Sequence, residues 1–156
     1  LVGPYSEVLV MDWGLAKVWR KDGSAAEEQQ EKGVVADKDK SITGQGKLQG
    51  TLCYMSPEQV RRDPDINASS DIYSLGSVLY ELLSGRTPFD SDKTYEILDM
   101  VQNQQPPEPS AVSKFPVPKI LEDLCMSCLA KEPSARPASM SDIIRVLEQE
   151  WAGGLL

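Results

Sequence analysis

A chain of 156 residues with 24 acidic against 16 basic side chains carries a formal charge of −8, which argues against a binder of nucleic-acid phosphates, since that would need a clustered Lys/Arg face. One domain fits this length, because a globule of that size buries roughly 68–70% of its unfolded surface. The 3 cysteines are an odd number and two of them lie close together, so no secreted-type disulfide framework arises and a reducing compartment is expected.

Residues 8–11 form a short, apolar, β-branched run entered from Gly3 and Pro4, which predicts a brief strand ending at Asp12. Over residues 19–50 Glu, Gln, Lys, Asp, Gly and Ser dominate. Too few apolar side chains remain there to offset ordering entropy, so a mobile loop is expected, and the acidic run at residues 27–31 is solvated. Beyond Pro64 the pattern turns helical: Ile72, Leu75, Leu79, Leu82 and Leu83 recur at helical spacing, with Val78 and Tyr80 on other faces. A central helix, apolar nearly all round, is therefore predicted, capped by Ser69 or Ser70 and stopped by Gly85 and Pro88. A second helix over about residues 92–103 aligns Tyr95, Leu98 and Val101 and is broken by the proline-rich run at 104–109. Pro118 opens a third, with Leu121, Leu124, Cys125, Cys128 and Leu129 on one face. A fourth starts at Ser139, with Asp142 in the capping-box position and Met140, Ile143, Leu147 and Trp151 as its inward stripe. There is no internal repeat.

Four motifs follow one another along this framework: Asp12-Trp13-Gly14, then Gly50-Thr51 leading to Ser56-Pro57-Glu58, then Ser70-Asp71 leading to Gly76, and finally Arg136-Pro137. In order and spacing they resemble the C-terminal lobe of Ser/Thr protein kinases of the bacterial kind. The resemblance implies a mainly α fold with a short β element before Asp12, spanning residues 1–151. Within it, residues 12–58 would be the activation segment and 59–151 the helical subdomain, with 152–156 as a tail.

The resemblance also assigns roles. Asp12 would bind magnesium, a hard cation that takes carboxylate oxygens and bridges nucleotide phosphates. Trp13 stands where phenylalanine is commonest, and Gly14 supplies the hinge, its missing Cβ freeing the backbone. Thr51 would shape the floor for a substrate hydroxyl, the Ser/Thr form of this segment. Glu58 and Arg136 would form a buried ion pair, against the plain reading of two solvated surface charges. Asp71 would accept hydrogen bonds from a catalytic loop, or simply favour a helix start through the dipole. Ser41 and Thr43 lie where activating phosphates are placed in the family. Cys125 and Cys128 make one pair of soft ligands in a chain with no histidine, so buried core thiols are expected in place of a zinc site.

As implied by the resemblance, the function is transfer of the ATP γ-phosphate to protein Ser or Thr hydroxyls, with ATP and Mg²⁺ as cofactors and a protein substrate as partner. The Gly-rich loop, the strand lysine and the His-Arg-Asp catalytic loop are not among these residues. The start of the chain accordingly reads as a cut within the domain, and the chain alone is expected to be inactive. The alternative is a pseudokinase or docking module that keeps the helical lobe without the chemistry. An unrelated acidic scaffold would need all the motifs to fall in order by accident. No run approaches the roughly 18 apolar residues of a membrane span. A cytoplasmic location is expected, with any anchor elsewhere in the parent, and self-association through apolar surface that the upper lobe would cover.

Overall fold

The structure is a computed structural model that describes residues 52–64 and 66–152. The expected strand at 8–11, the loop at 19–50, the tail beyond residue 152, and Asp12, Trp13, Gly14, Ser41, Thr43 and Thr51 lie outside the described residues. The side chain of Trp151 lies outside them too.

Among the described residues a helix that the apolar spacing does not predict precedes the long one, α1 (Pro57–Arg61). Ser56 caps it through a reciprocal box: Gln59 N–H donates to Ser56 Oγ at 3.3 Å, and Ser56 N–H donates to Gln59 Oε1 at 2.9 Å. Pro57 sits at the start, where its missing N–H costs nothing.

The long helix α2 (Ala68–Ser84) is the axis of the described unit. Its cap is Asn67 and not the predicted Ser69 or Ser70: Asn67 Oδ1 accepts from Ser69 N–H at 2.9 Å. Replacing Asn67 by alanine is expected to cost about 1 kcal/mol, the usual value of such a cap, read as a shift in urea midpoint with an unchanged slope. Gly85 ends the helix at φ 73°, in the left-handed region that glycine tolerates. The expectation of burial all round is corrected as well. Ile72, Tyr73, Gly76, Ser77 and Tyr80 are buried, whereas Leu75, Val78 and Leu82 face solvent, Leu82 with 78% of its surface exposed.

Four more helices follow α2 among the described residues. The helix α3 (Thr94–Asn103) turns Ile97 and Val101 inward and leaves the predicted stripe residue Tyr95 outside. Next comes a single turn, α4 (Pro109–Val112), that the proline-rich composition concealed. Its first N–H groups have no side-chain cap of their own, and Ser110 N–H instead donates to Glu122 Oε2 at 2.7 Å. Glu122 belongs to α5 (Lys119–Cys128), which starts after Pro118 as the sequence predicts and turns Leu124, Cys125 and Cys128 inward. A 3-10 turn (Pro133–Ala135) leads to α6 (Met140–Ala152), whose start Ser139 caps by accepting from Asp142 N–H at 3.3 Å. Ile143, with half-buried Val146 beside it, forms its inner face; Met140 and Leu147 are exposed, correcting the predicted stripe.

The core lies on both sides of α2. Ile72 packs with Leu124, Cys128 and Ile143, and Tyr73 and Tyr80 pack with Cys125 and Leu129. A third cluster gathers Leu52 and Cys53 onto Phe89, Ile97 and Val101. Helices α2 and α5 approach so closely that a Cβ on Gly76 would stand 2.6 Å from Cys128 Cβ. The cysteines are core thiols: burial pushes Cys125 up to about 12 and Cys128 up to about 11, and Cys125 Sγ donates to the Gly76 carbonyl at 3.5 Å. Among the described residues no cysteine is in a disulfide and no cluster of Cys, Asp and Glu could hold a metal.

Candidate functional site

Glu58 occupies the first turn of α1 and points inward, because Ser56 and Pro57 before it are fully buried. Arg136 follows the 3-10 turn and is extended in backbone, which aims its side chain back across the start of α2. The structure brings these two together although they are far apart in the chain. Arg136 Nη1 lies 2.7 Å from Glu58 Oε1, and Nη2 lies 2.9 Å from Oε2, a two-pronged pair with both side chains buried.

Guanidinium carries five N–H groups, and here each direction has a partner. Nε donates to the Ala130 carbonyl at 2.8 Å, Nη1 also to the Ser69 carbonyl at 2.8 Å, and Nη2 also to the Lys131 carbonyl at 3.0 Å. The ring of Tyr73 lies beneath, 5.0 Å from the guanidinium carbon. On the other side Ser70 Oγ donates to Glu58 Oε1 at 2.7 Å. Burial would push the Glu58 carboxyl up, but the hydrogen bonds from Arg136 and Ser70 prevail and hold it down at about 2. One carboxylate thus joins α1, the start of α2 and the turn before α6.

The segment behind Thr51 is tied to α2 by residues that sequence reasoning passed over. Ser74 Oγ donates to the Tyr54 carbonyl at 2.8 Å, and Tyr54 Oη donates to Glu81 Oε2 at 2.5 Å. That bond, with some burial, raises the phenol to about 12. Ser74 and Glu81 are seven places apart, two helical turns, so one face of α2 holds both ends of Tyr54. This spacing was visible, but nothing local said that the face meets residues 52–55. Asp71 sits in the first turn of α2, exposed, and its carboxylate makes no hydrogen bond with another described residue.

The family description "protein kinase domain" matches residues 2–152 of the chain. Serine/threonine-protein kinase PknD of Protochlamydia amoebophila is 34% identical over 160 residues, covering 98% of this chain and 16% of the relative. Serine/threonine-protein kinase A of Synechocystis is 34% identical over 142 residues, covering 90% and 23%. Serine/threonine-protein kinase PknB of Mycobacterium tuberculosis is 33% identical over 150 residues, covering 94% and 21%. The chain therefore spans 16 to 23% of the length of these relatives.

Proposed function

This chain belongs to the protein kinase family, and we propose that it forms part of a Ser/Thr kinase that moves the ATP γ-phosphate to Ser or Thr hydroxyls of a protein substrate. The buried two-pronged pair between Glu58 and Arg136 is the observation that supports this most. It joins the segment behind Thr51 to the far end of the helical unit, giving a rigid support to the place where a substrate peptide would lie. Phosphoryl transfer asks a protein chiefly for positioning and charge neutralisation. A support of this kind serves positioning.

On this reading Asp12 would hold magnesium, which would neutralise charge on the phosphates of ATP, the source of the transferable phosphoryl group. Thr51 and residues 52–55 form the floor for the acceptor hydroxyl, Gly14 is the hinge behind the metal ligand, and Ser41 and Thr43 are the sites of activating phosphates. Asp71 waits at the head of α2 for the backbone of a catalytic loop. The general base and the phosphate-binding lysine come from outside these residues, which contain no histidine and so no His-Arg-Asp. Buried thiols support a reducing, cytoplasmic setting. Among the described residues no helix is long and apolar enough to cross a membrane. The exposed stripe of Leu75, Val78 and Leu82 supports self-association of the chain by itself.

The test uses the full-length protein that carries this chain, labelled ATP and myelin basic protein. Wild type is expected to transfer phosphate, Asp12→Ala to transfer none while keeping its helical circular dichroism, and the isolated 156-residue chain to transfer none. Near-normal turnover by Asp12→Ala removes Asp12 from the metal site. A wild-type protein that binds partners but never transfers phosphate supports the docking module instead.

A further inference from the structure

Lys131 is a partly buried cation that neither the motifs nor the ion pairs account for, and every group around it belongs to the frame of the site. Its Nζ donates to the Val101 carbonyl at 2.7 Å and to the Met100 carbonyl at 3.3 Å, and lies 3.4 Å from Tyr73 Oη. The ring of Phe89 lies 4.5 Å from it and that of Tyr73 5.7 Å. Both carbonyls lie in the last turn of α3: that of Met100 also accepts from Gln104 N–H at 2.9 Å, and that of Val101 is among the last C=O groups, which a helix leaves without intrahelical donors. α3 has no side-chain N-cap bond and ends at an extended Gln104, and this cation from a distant turn brings a positive charge and side-chain donors to its C-terminal carbonyls. The backbone of the same lysine accepts Arg136 Nη2 at 3.0 Å. α3 in turn forms the wall on which Leu52 and Cys53 pack, through Ile97 and Val101.

We propose that Lys131 is a positioning residue: it clamps the C-terminus of α3 to the Glu58–Arg136 pair and so holds residues 52–55 at the height a peptide substrate requires. The peptide rests on the kinase reading; the clamp does not. Burial, with the neighbouring charge of Arg136, pushes the ammonium down to about 8, in keeping with a cation withdrawn from water into this frame.

Hydrogen exchange and steady-state kinetics on the full-length protein test it together. In Lys131→Met, amides in the last turn of α3 and in residues 52–55 are expected to exchange about ten-fold faster or more, while those of α5 around Cys125 keep wild-type rates. The KM for myelin basic protein should rise about five-fold with kcat within about two-fold, and Lys131→Arg should recover most of both. Acceleration spread evenly over α2 and α5, unchanged protection of α3, or a fall in kcat at constant KM each overturns the proposal. If Lys131→Met does not fold, the wild-type ammonium is observed directly by nitrogen-15 NMR. Slow exchange with water and a coupling across the hydrogen bond to the Val101 carbonyl support the clamp; a freely exchanging ammonium overturns it. A wild-type protein without phosphate transfer removes the kinase reading, and the exchange comparison then decides the clamp by itself.

Discussion

Arg136→Met is expected to lower the stability of the chain by about 3–5 kcal/mol, because it leaves the Glu58 carboxylate buried with Ser70 as its one side-chain donor among the described residues. Three backbone carbonyls, of Ser69, Ala130 and Lys131, each lose a hydrogen bond from the guanidinium in the same stroke. At about 2–4 °C per kcal/mol for a chain of this size, the melting midpoint should fall by roughly 6–20 °C. The partner change, Glu58→Met with Arg136→Met, should restore part of the loss, since an apolar pair of similar volume strands no charge. Acid titration gives a second readout. The wild-type carboxyl sits near 2 against an ordinary 4.5, so its contribution is complete above 4.5 and is lost as pH falls from there towards 2. With the guanidinium gone the carboxyl is no longer held low, and this loss on the acid side should shrink. A midpoint within about 2 °C of wild type, together with an unchanged acid profile, would mean that the pair does not hold the three elements together.

Gly76→Ala is expected to destabilise the chain by about 2 kcal/mol, even though alanine favours a helix over glycine by about 1 kcal/mol. The added Cβ would stand 2.6 Å from Cys128 Cβ and 3.3 Å from both the Cys128 carbonyl carbon and Leu129 Cγ. A Cβ cannot rotate out of the way, so α5 as a whole must shift. The shift would disturb both clusters that α2 shares with α5. A double-mutant cycle with Cys128→Gly isolates the contact: Gly76→Ala should cost less in the Cys128→Gly background than in wild type. Stabilisation by Gly76→Ala, the ordinary result at an exposed helix position, would show that the two helices do not meet there.

The structure extends the sequence reading unevenly. Apolar spacing located α2, α3, α5 and α6, and the turn chemistry at Gly85, Pro118 and Ser139 marked their ends, because each of those signals acts over a few neighbouring residues. The α1 helix was equally legible from Ser56 and Gln59, whose spacing is that of a capping box, yet its five residues carry too little apolar periodicity to register. The single turn α4 has its first N–H, that of Ser110, satisfied by Glu122 from another helix, so no side-chain cap within the turn announces it.

Sequence by itself determined the family, through the order of Asp12, Glu58, Asp71 and Arg136 along the chain, and it determined that Cys125 and Cys128 belong to a core, since one thiol pair without histidine cannot complete a zinc site. Only the tertiary structure decided which of the apolar residues of α2 are inside. Leu75 and Leu82 are as hydrophobic as Ile72, and the choice between them is made by where α5 and α6 lie. Only the tertiary structure, likewise, made Lys131 a clamp and Tyr54 a tether, because a cation or a phenol takes its role from carbonyls and carboxylates tens of residues away. Short-range chemistry is written in adjacent residues; burial and charge pairing depend on which distant surfaces meet, and no local pattern encodes that meeting.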